Sequence, residues 1–176
     1  KSIFSRMPRI VRDLSAQLGK DIVLQMEGEN TEVDKTVIEQ LGDPLTHMIR
    51  NSVDHGIEKP EVRIAAGKPA EGTIHLSADH RGGRIIIEIR DDGAGINREK
   101  VLAKAIEKGL ISEDAVPSDE ECDNLIFLPG FSTAETISNI SGRGVGMDVV
   151  RRNIQSLGGT VRVTTQPGKG SLFTVS

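Results

Sequence analysis

The chain has 176 residues, a formal net charge of −4 and one cysteine. That length can bury a core without disulfide staples, and the acidic balance sets the chain apart from general binders of nucleic acid or anionic membranes. It has no Trp or Tyr on which bases could stack, and no apolar run approaches the ~20 residues of a membrane span.

In chain order, residues 5–18 are predicted to be a helix, with Ile10, Val11, Leu14 and Leu18 at helical spacing and Gly19 as its stop. Arginines interrupt every apolar run there, so the segment is no signal peptide. Because the chain does not begin with Met, it is expected to be a piece of a longer one. "DIVLQME" (21–27) predicts a strand and residues 34–55 a helix, capped by Asp34 and ended by Gly56. Pro44 should kink this helix, or restart it with Asp43 as the cap. Residues 57–71 form a loop with a short helical piece. "TIHLSADH" and "RIIIEIR" flank "RGG" as a hairpin, with His75 and His80 solvent-facing or structural. Residues 97–108 are a charged helix. Residues 112–124 are acidic and irregular, with Cys122 a bystander thiol. Residues 128–147 are a long loop rich in small residues. Residues 147–157 are a further helix, and the chain closes on a hairpin around Pro167–Gly168. Hairpins mixed with helices predict a mixed sheet covered by helices on one face.

Three stretches carry the chemistry. In "LTHMIRNSVDHG" (45–56), at 100° per residue, Leu41, Leu45, Met48, Ile49 and Ser52 make one stripe, and His47, Asn51, Asp54 and His55 make a polar flank beside it. The two histidines are two turns apart, which is poor spacing for a shared zinc. Asn51 offers a neutral oxygen of the kind Mg²⁺ takes alongside water and phosphate. In "IRDDGAGI" a strand ends on an Asp heading D-x-G-x-G; glycines let a flat ligand approach, and a carboxylate accepts from an exocyclic amine. "GRGVGM" opens a helix with backbone N–H groups suited to an anion, though it fits neither the dinucleotide nor the P-loop pattern. Each stretch also has a plain reading: a polar helix shoulder, an acidic turn and a flexible connection.

Taken in order, "THMIRNSVDHG", "DDGAGI", "FLPGFST", "GRGVGMDVV" and "PGKGSLF" resemble the conserved boxes of the histidine-kinase ATP-binding domain, in the superfamily shared with gyrase, heat-shock chaperone and mismatch-repair ATPases. The pattern is most similar to that of the chemotaxis histidine kinases. The resemblance implies a two-layer α/β sandwich (the Bergerat-type ATP-binding fold) with a mobile lid over ATP. Residues 1–18 would lead in from a dimerisation domain, and 19–176 would form the catalytic domain.

By the same resemblance, Asn51 coordinates Mg²⁺. His47 and His55 lie near the phosphates, with Asp54 orienting a neighbour. Asp91 takes the adenine amino group, Gly95 and Ile96 run along the base, and Lys100 reaches a phosphate. Phe127, Phe131, Ser132 and Thr133 begin the lid; Gly142, Arg143, Gly144, Val145, Gly146 and Met147 close it; Ser171 stands near the adenine. The hydrolytic relatives carry Glu one turn before the Asn, and His47 occupies that place here. The implied function is transfer of the ATP γ-phosphoryl group to a histidine on a separate phosphotransfer domain. A nucleotide-sensing module or an ATP-hydrolysing clamp is the alternative. Implied partners are that phosphotransfer domain, a second copy through absent helices and a receptor/adaptor complex, all in the cytoplasm, with no nucleic acid and no membrane insertion.

Overall fold

The computed structural model describes residues 4–28, 31–128, 131 and 147–176. Helix α1 (Met7–Leu18) turns Met7, Val11 and Leu14 inward and stops at Gly19, whose left-handed backbone lets its N–H reach the Ser15 carbonyl. Strand β1 (Ile22–Glu27) leads to helix α2 (Lys35–Asn51).

Two expectations about α2 are corrected. The helix runs through Pro44 without a break or restart, so Asp43 is an interior helical residue rather than a helix start, and Asp34 makes no side-chain cap. Pro44 withholds one helical N–H, but its ring is buried, and Thr46 Oγ1 donates to the Gly42 carbonyl at 2.7 Å one turn along. The second correction is at the end, where Ser52–Gly56 form a π turn and the Ile57 N–H reaches back to Ser52 O at 2.8 Å. The His55 side chain leaves this wider turn 57% exposed.

After helix α3 (Pro60–Ala65), strands β2 (Gly72–Arg81) and β3 (Arg84–Asp91) form the first hairpin, and β4 (Val161–Gln166) and β5 (Gly170–Val175) the last. The sheet order is β1-β2-β3-β5-β4. β1 and β2 run parallel; the other neighbours are antiparallel. Every second residue of the strands (Ile74, Leu76, Ile87, Ile89, Val163, Phe173) joins one core with Leu45, Met48 and Ile49 of α2 and with α1. Helix α6 (Met147–Ser156) adds Val150 and Ile154. The sheet is thus covered on one face, and the opposite face, with Gln25, Thr73, His75, Arg90 and Thr164, lines an open groove.

Residues 112–124 are less irregular than their acidity suggests. Helix α4 (Arg98–Glu107) is capped by Asn97. Asp119–Asn124 form helix α5, opened by a capping box in which Ser118 and Glu121 bond each other's backbone. Arg98 grips the buried Asp123 with two bonds, at 2.9 and 3.1 Å, tying α4 to α5. Cys122 is accordingly a buried helical residue rather than a loop thiol. Ala105, Leu125 and Phe131 form a smaller second core.

Candidate nucleotide site

The site grows from the junction of the α2 end with the β3 end. Gly93 packs so tightly on Gly56 that a Cβ on Gly93 would run into the Gly56 carbonyl. Only glycine permits that approach, and the seam is closed by the Ala94 N–H on Gly56 O at 3.0 Å. The glycine of "DHG" and the first glycine of "DDGAG" are therefore one contact.

Asp91 ends β3 beside this seam, 4% exposed. Its Oδ1 accepts from the Gly93 N–H at 3.0 Å. Burial pushes its carboxyl up to about 6; the N–H groups of Gly93 and Ser171 pull the other way, and the negative charge of Asp92 adds to the rise. Ser52 faces the same carboxylate closely enough to favour its ionised form, yet its buried hydroxyl completes no hydrogen bond. The Ser52 hydroxyl and the Asp91 carboxylate are thus two buried polar groups side by side at the α2–β3 junction.

The final hairpin makes the next wall. Thr165 Oγ1 accepts from the Ile96 N–H at 2.9 Å, donates to Gly170 O at 2.9 Å and lies 3.1 Å from Ser171 Oγ. The Gly168 N–H reaches Ala94 O at 2.7 Å. Gly95 and Ile96 are thereby held against β4–β5, and Ser171 sits directly across the sheet from Asp91.

Asn51 is the last residue of α2, immediately before Ser52. Its Nδ2 donates to Met147 Sδ at 2.7 Å, which leaves Oδ1 as the amide atom not committed to that contact. Asp54 Oδ2 lies 3.0 Å from His55 Nε2, with the His55 side chain 57% exposed. His47 is half-buried, and burial, followed by the Arg50 charge, holds it below the usual histidine value, so it is neutral at pH 7. It lines a cavity of about 330 Å³ between α1, α2 and α6, shared with Arg6, Ile10 and Asn153.

The structure thus brings Asn51, Asp91, Gly95, Ile96, Met147 and Ser171 to one region. Lys100 is exposed in the first turn of α4, where its backbone N–H bonds the Asn97 cap. Ser132, Thr133, Gly142, Arg143, Gly144, Val145 and Gly146 lie outside the described residues. Phe127, expected at the start of the lid, is 2% exposed in the main core and edge-on to Phe173 at 6.4 Å. Phe131 is anchored on α4, with Lys104 Nζ 4.6 Å from its ring centroid and Lys108 Nζ on its carbonyl at 2.6 Å. Among the described residues no group of three or more His, Cys, Asp or Glu could hold a metal ion by itself.

Sequence reasoning missed four contributors. Lys20 donates to Val53 O at 2.6 Å and Asp54 O at 2.7 Å, capping the α2 end. Burial holds the Lys20 ammonium below its ordinary value, opposed by Asp54. Thr165 could have been found as a hydroxyl at an inward position of an alternating strand. Ser52 was placed in the apolar stripe but given no role. The fourth, the Arg63 cluster, leaves no periodic signal.

The mixed five-stranded sheet, with the α2 end and the β3 end meeting on its helix-covered side, is an α/β fold. Residues 40–176 match the family described as histidine kinase-, DNA gyrase B-, and HSP90-like ATPase, and the chain belongs to that family. Over 176 residues it is 65% identical to the chemotaxis protein CheA of Rhizobium meliloti (strain 1021), covering 100% of this chain and 23% of that protein. It is 52% identical over 177 residues to the chemotaxis protein CheA of Bacillus subtilis (strain 168), covering 99% of this chain and 26% of that one. It is 54% identical over 171 residues to the sensor histidine kinase CheAY of Helicobacter pylori (strain ATCC 700392 / 26695), covering 96% of this chain and 21% of that one. The chain therefore spans about a quarter of the length of the curated relatives it matches. The histidine kinase domain of the Erythrobacter litoralis EL346 blue-light activated histidine kinase shares the fold, with a TM-score of 0.56 at 15% identity over 99% of this chain and 63% of that one. Among the described residues no helix is long and apolar enough to cross a membrane.

Proposed function

We propose that this chain is the ATP-binding catalytic domain of a chemotaxis-type histidine kinase. It would hold ATP against the α2–β3 junction and present the γ-phosphoryl group to an imidazole nitrogen on a separate histidine-containing phosphotransfer domain. The bond from the γ-phosphorus to the β–γ bridging oxygen breaks, a P–N bond forms, and ADP leaves. The observation that carries this reading is the buried Asp91 carboxylate facing the orphaned Ser52 hydroxyl, one residue from Asn51. Asp91 as an ionised acceptor and Ser52 as a donor suit the amino edge of adenine, which offers a donor beside a ring nitrogen that accepts.

Mg²⁺ suits the donor set, because Asn51 can offer a neutral amide oxygen. Asn51 would hold the ion, which when bound neutralises phosphate charge. His47 is neutral at pH 7, so it can either accept a proton or donate a hydrogen bond through an N–H. The attacking imidazole belongs to the partner domain and is nucleophilic when neutral, so this chain's contribution is positioning and charge stabilisation. His47, His55, Lys100, Arg143 and Gly144 would lie along the phosphates, with Asp54 orienting His55 and Gly95, Ile96 and Ser171 along the base. Residues 1–18 would connect to dimerisation helices, and the whole kinase would work as a cytoplasmic homodimer on a receptor/adaptor complex. The names of the relatives, chemotaxis protein and sensor histidine kinase, support this setting.

The test is Mg-ATP labelled at the γ position, mixed with this chain and a histidine-containing phosphotransfer domain. Acid-labile, base-stable label on that domain is expected. Asn51→Ala should abolish the transfer without altering the fold. ATP binding without transfer would favour a nucleotide-sensing module, and phosphate release independent of the acceptor would favour an ATP-hydrolysing clamp.

A further inference from the structure

Helix α3 is inverted: Val62 and Ile64 are 55% and 62% exposed, whereas Arg63 between them is 1% exposed. A buried guanidinium is retained only where its donors are met, and Arg63 meets four acceptors. Its Nε donates to Pro69 O at 2.8 Å, and its Nη1 to Glu58 Oε1 at 3.0 Å and Asp92 O at 3.1 Å. Its Nη2 donates to Asp92 Oδ2 at 3.1 Å. Lys68 adds bonds to Glu58 Oε2 at 2.9 Å, Asp92 O at 3.1 Å and Gly93 O at 2.8 Å. Asp92 Oδ1 takes the Thr73 N–H at 2.8 Å, fixing the same turn to β2.

Two peptide planes are therefore clamped at both ends. A trans peptide points its C=O and N–H in opposite directions and resists twisting. In the plane joining residues 92 and 93, the carbonyl is held by Arg63 and Lys68, and the N–H is the one that holds Asp91 Oδ1. In the plane joining residues 93 and 94, the carbonyl is held by Lys68, and the N–H closes the seam onto Gly56. Cations on the carbonyls also polarise the N–H groups opposite and strengthen their bonds.

We infer that Arg63, assisted by Lys68 and Glu58, is a positioning residue for base recognition, aiming the Asp91 carboxylate through the Asp92–Gly93 peptide without touching the nucleotide. This rests on the reading of Asp91 as the acceptor for adenine. It predicts an effect that general destabilisation would not produce. Among the described residues, the charged group acting on Asp91 is Asp92, with Arg63, Lys68 and Glu58 behind it. Ser52, Gly56 and Ser171, packed around the carboxylate, carry no charge. Removing Arg63 takes away the ion-pair partner of Asp92 and leaves the Gly93 N–H less polarised, so Asp91 holds its proton to higher pH.

The experiment measures ATP and GTP affinity by calorimetry from pH 5 to 8 for the wild-type chain, Arg63→Met, Arg63→Lys, Lys68→Met and Asp92→Asn, with circular dichroism reporting the fold. Arg63→Met should lose about tenfold in ATP-over-GTP preference, and the pH at which ATP binding is half-lost should rise. Arg63→Lys should recover part of both. Asp92→Asn should move that midpoint down. A folded Arg63→Met with wild-type preference and midpoint overturns the inference. If that variant does not fold, Lys68→Met and Asp92→Asn decide by the same two readouts. Asp91→Asn separates the two levels: unchanged ATP preference there defeats the pocket reading itself, whereas lost preference there with none lost in the Arg63 and Lys68 variants defeats only the positioning role.

Discussion

Asp91→Asn should make the unliganded domain more stable while removing its affinity for ATP. Burial raises the Asp91 carboxyl to about 6 from an ordinary 3.8. Between those two pH values the native state keeps a proton that the unfolded chain has released, so stability falls as pH rises through the window. Above pH 6 the whole cost is present, and the gap of about two pH units corresponds to about 3 kcal/mol. Asparagine removes the charge and keeps an oxygen for the Gly93 N–H. Its NH₂ group also gives the orphaned Ser52 hydroxyl a donor to accept from. Loss of the Ser171 N–H contribution to the anion sets against this, so a gain of about 1–3 kcal/mol is expected at pH 7. Urea denaturation of both chains at pH 7 and pH 4 measures it. The gain should be largest at pH 7 and nearly gone at pH 4, and titration with Mg-ATP at pH 7 should show little binding by the variant. A variant less stable than the wild type at pH 7, or a difference independent of pH, would refute the account of Asp91 as a carboxylate held at a cost for ligand binding.

Other variants probe the frame. Lys20→Met removes the two carbonyl contacts at the α2 end and should cost about 1–2 kcal/mol in urea denaturation, with weaker ATP binding because Asn51 and Ser52 lose their brace. Gly93→Ala forces a methyl onto the Gly56 carbonyl; the seam must part, costing about 3 kcal/mol by thermal melting and most of the ATP affinity. Ser118→Ala breaks the α5 capping box and should cost about 1 kcal/mol, with ATP affinity by calorimetry unchanged.

Much of this frame was legible because the signals were local and periodic. Ile74, Leu76, Ile87 and Ile89 alternate, and all four are buried. Leu41, Leu45, Met48 and Ile49 repeat at helical spacing, and all four are buried in the main core. Gly56 of "DHG" reads as a helix stop and the glycines of "DDGAG" as room for a flat ligand; only the fold shows that Gly56 and Gly93 pack on each other. What was missed depends on tertiary context or on several weak local terms acting together. Pro44 reads as a kink or a restart, but burial of its ring goes with a continuous helix. The π turn at Ser52–Gly56 has no compositional mark. The S-x-x-E box at Ser118–Glu121 was readable and was hidden by the acidity around it. Arg63 on α3 looks like an ordinary surface cation; only the fold shows the carbonyls and carboxylates that surround it.

In the proposed site Asn51 and Asp91 hold opposite ends of one nucleotide. Nuclear magnetic resonance of the labelled chain with Mg-ATP, repeated with Mn²⁺ in place of Mg²⁺, tests it directly. The Asn51 side-chain amide should broaden beyond detection with Mn²⁺. The Gly93 and Ile96 amides should shift with either ion and broaden less, and His75 and Arg90 on the open sheet face should stay unchanged. Shifts centred on His75 and Arg90, with Asn51 and Gly93 unmoved, would contradict it.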